Sequence, residues 1–435
     1  MSHNYNAAKQ SILDFTATPS SRYGEDALLQ GDYYDIINNA LDLERNSPVA
    51  RSIVQCLEDY VAGNGLTPTL GHEKGLEVWR NWAYNPVDIS GTKSFKQVFR
   101  DVVKNIAASG DVLLTTPIDK RVGNDAIALR LELTSGARIL TPEDLKKKKD
   151  EFGNVIKFGV AFKDGVEVGY YVQNENSNMP FALRRKKANF RYIEKYDSRT
   201  GRLNAILIRR PTGMPAEQTR GLSILTPVVQ TIKDMDDLLV SAIQGSRNKA
   251  LLSVILETAD PTSTYGGAGA INEDGQLIEA NSDSGETQII GELPDGAIMT
   301  VPAGTKANAI NSSGDIDRDA LILRTQRLQG AGVGIPYEIL FKDFSQTNFS
   351  SGKLGFDSFF RLTEFWTGEL ITVFQQIYKL IQLEATLKGF GIENPKPIDY
   401  VVEFIGSQNY VDADPGKNSK AETERQNNGT ATATR

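Results

Sequence analysis

The stretch 332-GVGIPYEILFKDFSQTNFSSGKLGFDSFFR-361 decides how this chain is read. It opens on a Gly-Val-Gly-Ile-Pro turn and mixes Lys342, Asp343, Gln346 and Asn348 with aromatic side chains. It closes on Asn348-Phe349-Ser350-Ser351-Gly352-Lys353, just before a long apolar-periodic segment. Polar loops of this kind concentrate function. A phosphate cradle, a catalytic loop and a segment that touches a polymer all compete for it. The cradle is the weakest, because no strand, Gly-rich turn and helix surround the stretch and no G-x-x-x-x-G-K-[ST] string occurs in the chain.

Working outward, the segments on either side are helical in period. Upstream, "LSILTPVVQTIKDMDDLLVSAIQGSRNKA" carries Ile224, Leu225, Val228, Val229, Ile232, Met235, Leu238, Leu239, Ala242 and Ile243 on one broad stripe. Ser223 or Thr226 can cap its start, and a helix over 224–250 is about 40 Å long. "IDRDALILRTQRLQGAG" from Ile316 sets leucines against Arg318, Arg324 and Arg327. Downstream, Phe359, Leu362, Trp366, Val373, Ile377 and Ile381 keep a helical period. Glu364, Glu369 and Lys379 interrupt that stripe, so a buried or interface helix is expected rather than a membrane span.

Between the first two helices lies a different composition. Residues 257–317 hold eleven Asp or Glu against one basic residue, Lys306. Their Gly-, Ser- and Asn-rich text reads as a small acidic β module, with two strands around a Pro294-Asp295-Gly296 turn.

The N-terminal half reads as α/β. "RNSPVARSIVQCLEDYVAGNG" offers Ser47 as N-cap, Pro48 at the first helical position, one apolar face and Gly63 as terminator. Two further helices are expected over 75–109, then strands in "DVLLTTPID", "IALRLELTS" and "ARILTPED". In "NVIKFGVAFKDGVEVGYYVQ", Lys163-Asp164-Gly165 separates two strand-like runs and signals a hairpin. A basic run, "LRRKKANFRYIEK" over 183–195 with its core at 184–187, reads first as a solvated face and second as a contact for a partner's acidic surface or for packaged nucleic acid.

Composition limits the chemistry. The 435 residues carry a net charge of −7, so the chain is not a basic nucleic-acid binder. Cys56 is the sole cysteine, and His3 and His72 the only histidines, which disfavours a zinc site, a Cys-His pair or a Ser-His-Asp triad. The first residues lack the charged start and apolar run of a signal peptide. Asp234, Asp236 and Asp237 leave a magnesium-dependent nuclease as a rival, but on a helix they point in different directions. No catalytic residue, cofactor or metal site is expected.

The order of helix, acidic β insert, helix, polar loop and long helix after an α/β region resembles phage portal proteins of the lambda type. "ERNSPVARSIVQCLEDYVAGNGLTP" resembles the family's Arg-Asn-x-x-x-Ala helix, and "QTRGLSILTPVVQTIKDMDDL" its Gln-x-Arg-Gly-x-Ser-x-Leu-x-Pro-Val segment. "GVGIPYEILFKDFSQTNFSSGKLG" is similar to its Gly-[Ile/Val]-Pro-Tyr-Glu-x-Leu, Asp-x-Ser and Asn-[Tyr/Phe]-Ser-Ser-[Gly/Ala]-[Arg/Lys] strings, the most specific of the set. "YVDADPGKNSK" resembles a terminal Val-Asp-x-x-Lys motif. A His that usually precedes the Arg-Pro segment is missing from "AILIRRPTGMPAEQTRG".

The resemblance implies an α+β portal fold: an α/β wing, long stem helices, a small β-rich clip, a long C-terminal wing helix and little or no crown. It divides the chain into a flexible arm (1–30), wing (31–221), stem helix (222–256), clip (257–312), second stem helix (313–331), tunnel-loop region (332–355), C-terminal wing (356–406) and polar tail (407–435). It implies a non-enzymatic ring of twelve subunits at one capsid vertex, assembled in the host cytoplasm and carried in the virion. Double-stranded DNA passes through such a ring without sequence preference. The implied partners are the terminase large subunit, head–tail connector or adaptor proteins, and the major capsid and scaffold proteins. Carried onto this chain, the DNA contacts are Lys342, Gln346, Asn348 and Lys353. Docking falls to the clip residues Glu273, Asp274, Glu279, Asp283 and Glu286, and the subunit interface to Ile232, Met235, Leu239, Arg324 and Arg327. Another ring-forming head–tail adaptor is the nearest alternative.

Overall fold

The computed structural model describes residues 24–146, 149–174, 189–215, 217–251, 254–258, 270–271, 276–280, 287–292, 298–302, 318–345, 349–393 and 395–406. The chain divides into two compact units, one of residues 1–230 with 329–435 and one of residues 231–328.

The first unit begins with helices α1 (Glu25–Leu29), α2 (Tyr33–Asn46) and α3 (Pro48–Leu57). Residues 25–29, expected within a flexible arm, are therefore helical; Asp26 ties them down by accepting from the Thr219 amide at 2.8 Å and from the Thr219 hydroxyl. Ser47 stands at the N-cap of α3 with Pro48 first in the helix, as its spacing predicts. A five-residue π turn, Glu58–Ala62, follows α3, and Gly63 ends it with a positive φ of 42°.

Strand β1 (Thr67–Leu70) leads to α4 (Glu73–Tyr84) and α5 (Phe95–Ser109). A capping box between Ser94 and Gln97 starts α5, whose Phe95, Val98, Phe99, Val102, Val103 and Ile106 are all buried. The loop before it is organised by Asp88. That carboxylate accepts from the Thr92 and Lys93 amides at 2.8 and 2.6 Å and from the Ser90 and Thr92 hydroxyls. Burial alone would raise its pKa, but these hydrogen bonds win and hold it at about 2, below the ordinary 3.8. A depressed carboxylate contributes stability above its unfolded pKa and loses it as pH falls through the folded value. Asp88→Asn should therefore cost about 2 kcal/mol at neutral pH, and urea midpoints of the two proteins should converge between about pH 4 and 2. An equal gap at pH 7 and pH 3 counts against this account.

Two antiparallel sheets complete this part. The first has the order β3 (Glu132–Ser135), β2 (Asp111–Thr115), β8 (Ala205–Arg209). The second is a meander of β4 (Val155–Lys157), β5 (Val160–Lys163), β6 (Val166–Gln173) and β7 (Phe190–Glu194). The hairpin signalled by Lys163-Asp164-Gly165 is present: Lys163 pairs with Val166, and Asp164 and Gly165 have φ of 50° and 82°. The run before it divides into two strands, because Phe158 and Gly159 make a second tight turn with φ of 48° and 83°. "ARILTPED" is not a strand. Residues 136–138 form a 3-10 turn, and only Ile139 bridges to Val172. Tyr170 and Val172 join Leu113, Ile139, Val160, Ala205 and Leu207 in one buried cluster, and Tyr171 between them joins Leu145 and Ala161 in another.

The second unit carries most of α6 (Val229–Leu251), which starts later than the apolar stripe suggests because residues 224–228 form turns, Thr226 donating its hydroxyl to the Ser223 carbonyl at 2.8 Å. Its strands are β9 (Val254–Thr258), β10 (Ala270–Ile271), β11 (Gln276–Ala280), β12 (Thr287–Glu292) and β13 (Ile298–Pro302). The two strands flanking residues 293–297 do exist, but they do not pair with each other. β12 pairs with β11, while β13 runs parallel to β9 with Ile298 opposite Val254. A Pro-Asp-Gly string reports a turn locally; it cannot report which strand a parallel ladder recruits.

Helix α7 (Arg318–Val333) leads back to the first unit, followed by α8 (Tyr337–Phe341), α9 (Phe349–Leu387) and β14 (Glu403–Ile405). β14 pairs with β1, Thr67 opposite Ile405 and Pro68 opposite Phe404. Trp79 of α4 sits at the centre of the core, its ring 4.8 Å from Phe95, 5.1 Å from Phe404 and 5.8 Å from Tyr378. Phe374 of α9 meets Phe95 and Phe99 edge-on at 5.3 and 5.2 Å. Aromatic contacts between residues so far apart in sequence fix α9 against α4 and α5.

Candidate functional site

The stretch 332–361 is less of a loop than its composition suggests. α7 runs to Val333, and Gly334 turns the chain with a φ of 74°. Pro336 then caps α8, whose Ile339 and Leu340 are buried. α8 is fastened to α3: the Ser52 hydroxyl donates to the Leu340 carbonyl at 2.9 Å, and the Cys56 thiol to the Ile339 carbonyl at 4.0 Å. These bonds satisfy the last carbonyls of a helix too short to satisfy them itself. Burial pushes the Cys56 thiol pKa up, and the nearby Lys342 ammonium offsets part of that rise.

Lys342 takes the left-handed conformation, φ 55°, and ends α8. Asp343 closes the turn, accepting from the Tyr337 hydroxyl and the Ser345 amide, each at 3.0 Å. The Ser345 and Tyr337 hydrogen bonds hold the Asp343 carboxyl below the usual carboxylate range. The expected loop over 332–355 thus contracts to the residues between α8 and α9, because Ile335, Ile339 and Leu340 bury an apolar face instead of exposing it. Lys342 at its start and Lys353 in the second turn of α9 are both exposed. Gln346 and Asn348 lie outside the described residues.

A row of aromatic rings joins this turn to the interior. Phe344, half exposed, stacks on Phe356 at 6.1 Å and 7°. Phe356 stacks on Phe360 at 6.1 Å, Phe360 lies 6.3 Å from Tyr60, and Tyr60 meets the fully buried Phe359 at 5.1 Å. Composition alone showed the aromatics but not that they form a continuous stack.

The other expected sites are placed unevenly. Ile232 and Met235 are buried within the chain, whereas Leu239, Arg324 and Arg327 are exposed. Glu279 lies in β11, while Glu273, Asp274, Asp283, Glu286 and the basic run at 184–187 fall outside the described residues. Among the described residues, no three His, Cys, Asp or Glu side chains are grouped to hold a metal ion, and no helix is long and apolar enough to cross a membrane.

The strongest electrostatic feature is one the sequence reading did not find. Arg220 is fully buried and uses all five of its donors. Nε and Nη2 clamp the two Asp111 carboxylate oxygens at 2.6 and 2.7 Å, Nη2 also reaches the Gly136 carbonyl at 2.7 Å, and Nη1 reaches the Ile139 and Phe158 carbonyls at 2.8 Å. The Tyr33 ring lies 5.0 Å from the guanidinium. Burial acts to lower the Arg220 pKa, but the Asp111 charge overrides it and the group stays above its ordinary value. Here the backbones of 110 and 221 touch: a Cβ on Gly221 would lie 1.9 Å from the Gly110 carbonyl oxygen. The signal for this node was an acid, Asp111, leading the wholly buried strand β2.

The model of the phage portal protein, lambda family, matches residues 15–366, a span that contains both the Arg220 node and the α8–α9 segment. This chain belongs to that family. Two curated portal proteins are similar to it. That of Escherichia phage N15 is 23% identical over 366 residues, covering 75% of this chain and 64% of its own length. Portal protein B of Escherichia phage lambda is 20% identical over 347 residues, covering 72% and 61%. The chain thus spans less than two thirds of these portal proteins. Among solved structures, a chain from the virion of a native gene transfer agent particle is 12% identical with a TM-score of 0.48. One from the neck of that particle, computed with C12 symmetry, is 13% identical with a TM-score of 0.47. Each match covers 91% of both chains.

Proposed function

We propose that this portal-family chain is one subunit of a closed ring at a capsid vertex, twelve copies by family, through which double-stranded DNA is packaged and ejected. The family match over residues 15–366 carries the proposal. In this reading residues 222–256 and 313–331 are stem, the acidic residues of 257–312 face the terminase large subunit and then the connector or adaptor, and residues 31–221 with 356–406 are wing. Capsid and scaffold proteins are the remaining partners.

A ring of identical subunits needs two different complementary faces on each. Exposed apolar side chains on the helices of the second unit supply candidates: Leu239, Val240 and Ile243 on α6, and Leu321 and Leu328 on α7, with Arg324 and Arg327 beside the latter pair. A conduit must also hold its cargo weakly, since each neutralised phosphate adds salt-dependent affinity. A chain of net charge −7 that presents only Lys342 and Lys353 around its candidate loop meets that requirement.

The test is native mass spectrometry with negative-stain images of the same sample. Closed rings of about a dozen subunits with a central hole are expected. Ile243→Glu, which places a charge in the exposed α6 stripe, should yield only monomers with an unchanged melting temperature. A two- or three-fold oligomer without a hole, or intact rings from the Glu variant, sinks the ring or its placement on α6, respectively.

A further inference from the structure

Strand β3 lies at the rim of its sheet, and part of its outer edge is open. The Arg130 amide donates to the Pro117 carbonyl, on the β2 side. Leu131 faces the other way: its amide donates to the Val87 carbonyl at 2.8 Å, and its carbonyl accepts from the Ile89 amide at 3.2 Å. Backbone direction alternates along a strand, so the Leu133 amide and carbonyl point out on the same side as those of Leu131. Residues 87–89 run parallel to that edge but turn away before Leu133, the Gly91 amide donating to the Asp88 carbonyl at 3.1 Å. Among the described residues, no backbone group bonds Leu133 on this outer side.

The open edge borders a cleft of about 800 Å³. Leu41, Ile89 and Leu133 give it an apolar wall, and none of the three is fully buried. A ladder that stops at Ile89, with an apolar cleft beside its next position, fits one more extended segment: backbone bonds hold it and alternate side chains fill the cleft. The chain has such a segment before Gly24, where the described residues begin. Leu13, Phe15 and Ala17 alternate there with Asp14, Thr16 and Thr18, the period of a strand with one apolar face, and Pro19 follows. Fully extended, the residues from Leu13 to Gly24 span about 36 Å. The path through α1, the turn after it and α2 as far as Leu41 is about 30 Å, so the segment reaches the cleft of its own chain.

We propose that residues 13–18 dock in this cleft of the same chain as an added strand, bonded through their backbone to Leu133, with Leu13, Phe15 and Ala17 against its apolar wall. The segment then continues the edge that residues 87–89 begin. An edge covered in this way no longer offers a template to a second chain. The docking is independent of the ring and of its DNA.

The test is hydrogen–deuterium exchange of the full chain, resolved to single amides. The Leu133 amide should exchange at least about tenfold more slowly than in the double variant Leu13→Asp with Phe15→Asp. The Thr134 amide, which faces β2, should exchange alike in both and reports that the variant is folded. A synthetic peptide of residues 10–20 should restore slow exchange at Leu133 when added to the variant. Thr16→Pro, which keeps every apolar residue of the segment, should also release Leu133 and serves if the double variant does not fold. A Leu133 amide that exchanges freely in the full chain, or stays protected in the folded variants, overturns the docking. Protection that disappears on dilution of the full chain gives the edge to a second copy and overturns pairing within one chain.

Discussion

Arg220→Met should destabilise the first unit by about 3–5 kcal/mol, the range found when one partner of a buried ion pair is removed. The substitution keeps much of the side-chain volume but strands the Asp111 carboxylate, which has no exposure to water. It also takes their Arg220 donor from the Ile139 and Phe158 carbonyls and one of two donors from the Gly136 carbonyl, which keeps the Ile139 amide at 3.1 Å. Only the Gly221 amide, at 3.0 Å, remains on Asp111. The urea midpoint of Arg220→Met should fall steeply, while Arg220→Met with Asp111→Leu should regain part of the loss, since the stranded charge goes with its partner. A single-variant cost under about 1 kcal/mol would show that water reaches the pair and that its burial is not what holds these elements together.

Trp366→Ala should cost about 3–5 kcal/mol, as deletion of a large buried aromatic does. Trp366 is fully buried midway along α9, and its indole N–H donates to the Thr212 hydroxyl at 3.1 Å. The bond joins α9 to the segment just before the Arg220 string, so the cavity left behind is lined by both. Trp366→Phe keeps most of the packing and loses one hydrogen bond, so it should cost nearer 1 kcal/mol. Thermal melts of the two variants separate the contributions. Equal costs for Ala and Phe would assign the whole effect to the hydrogen bond and none to packing.

What the sequence made legible was local. Ser47 and Pro48 announce α3, Asp164-Gly165 announces a hairpin, and the stripe in 357–388 announces α9, because caps, turns and periodicity act within a few residues. The buried pair was not legible. Asp111 and Arg220 lie 109 residues apart, and nothing in either neighbourhood names the other. The parallel pairing of β9 with β13 was hidden for the same reason, since a Pro-Asp-Gly string points only to its own flanks. At 335–341 polar neighbours drew attention to a loop, while Ile335, Ile339 and Leu340 are buried and the last two are bonded to α3 through their carbonyls. Of the expected DNA contacts, Lys342 and Lys353 are exposed, but the Phe344–Phe356–Phe360 stack beside them is not a property of any short string.

The β1–β14 ladder sets a schedule for the ribosome. Leu70 finds its partner, Glu403, only 333 positions later. At bacterial elongation rates of about 5–20 residues per second, that wait is roughly 20–70 s. Until then the edge of β1 has no partner strand, and Trp79 lacks both Tyr378 and Phe404. A nascent chain therefore cannot finish its first unit before nearly all of it has been translated. Truncated products lack the strand that pairs with β1, and no partly made chain emerges with its first unit complete.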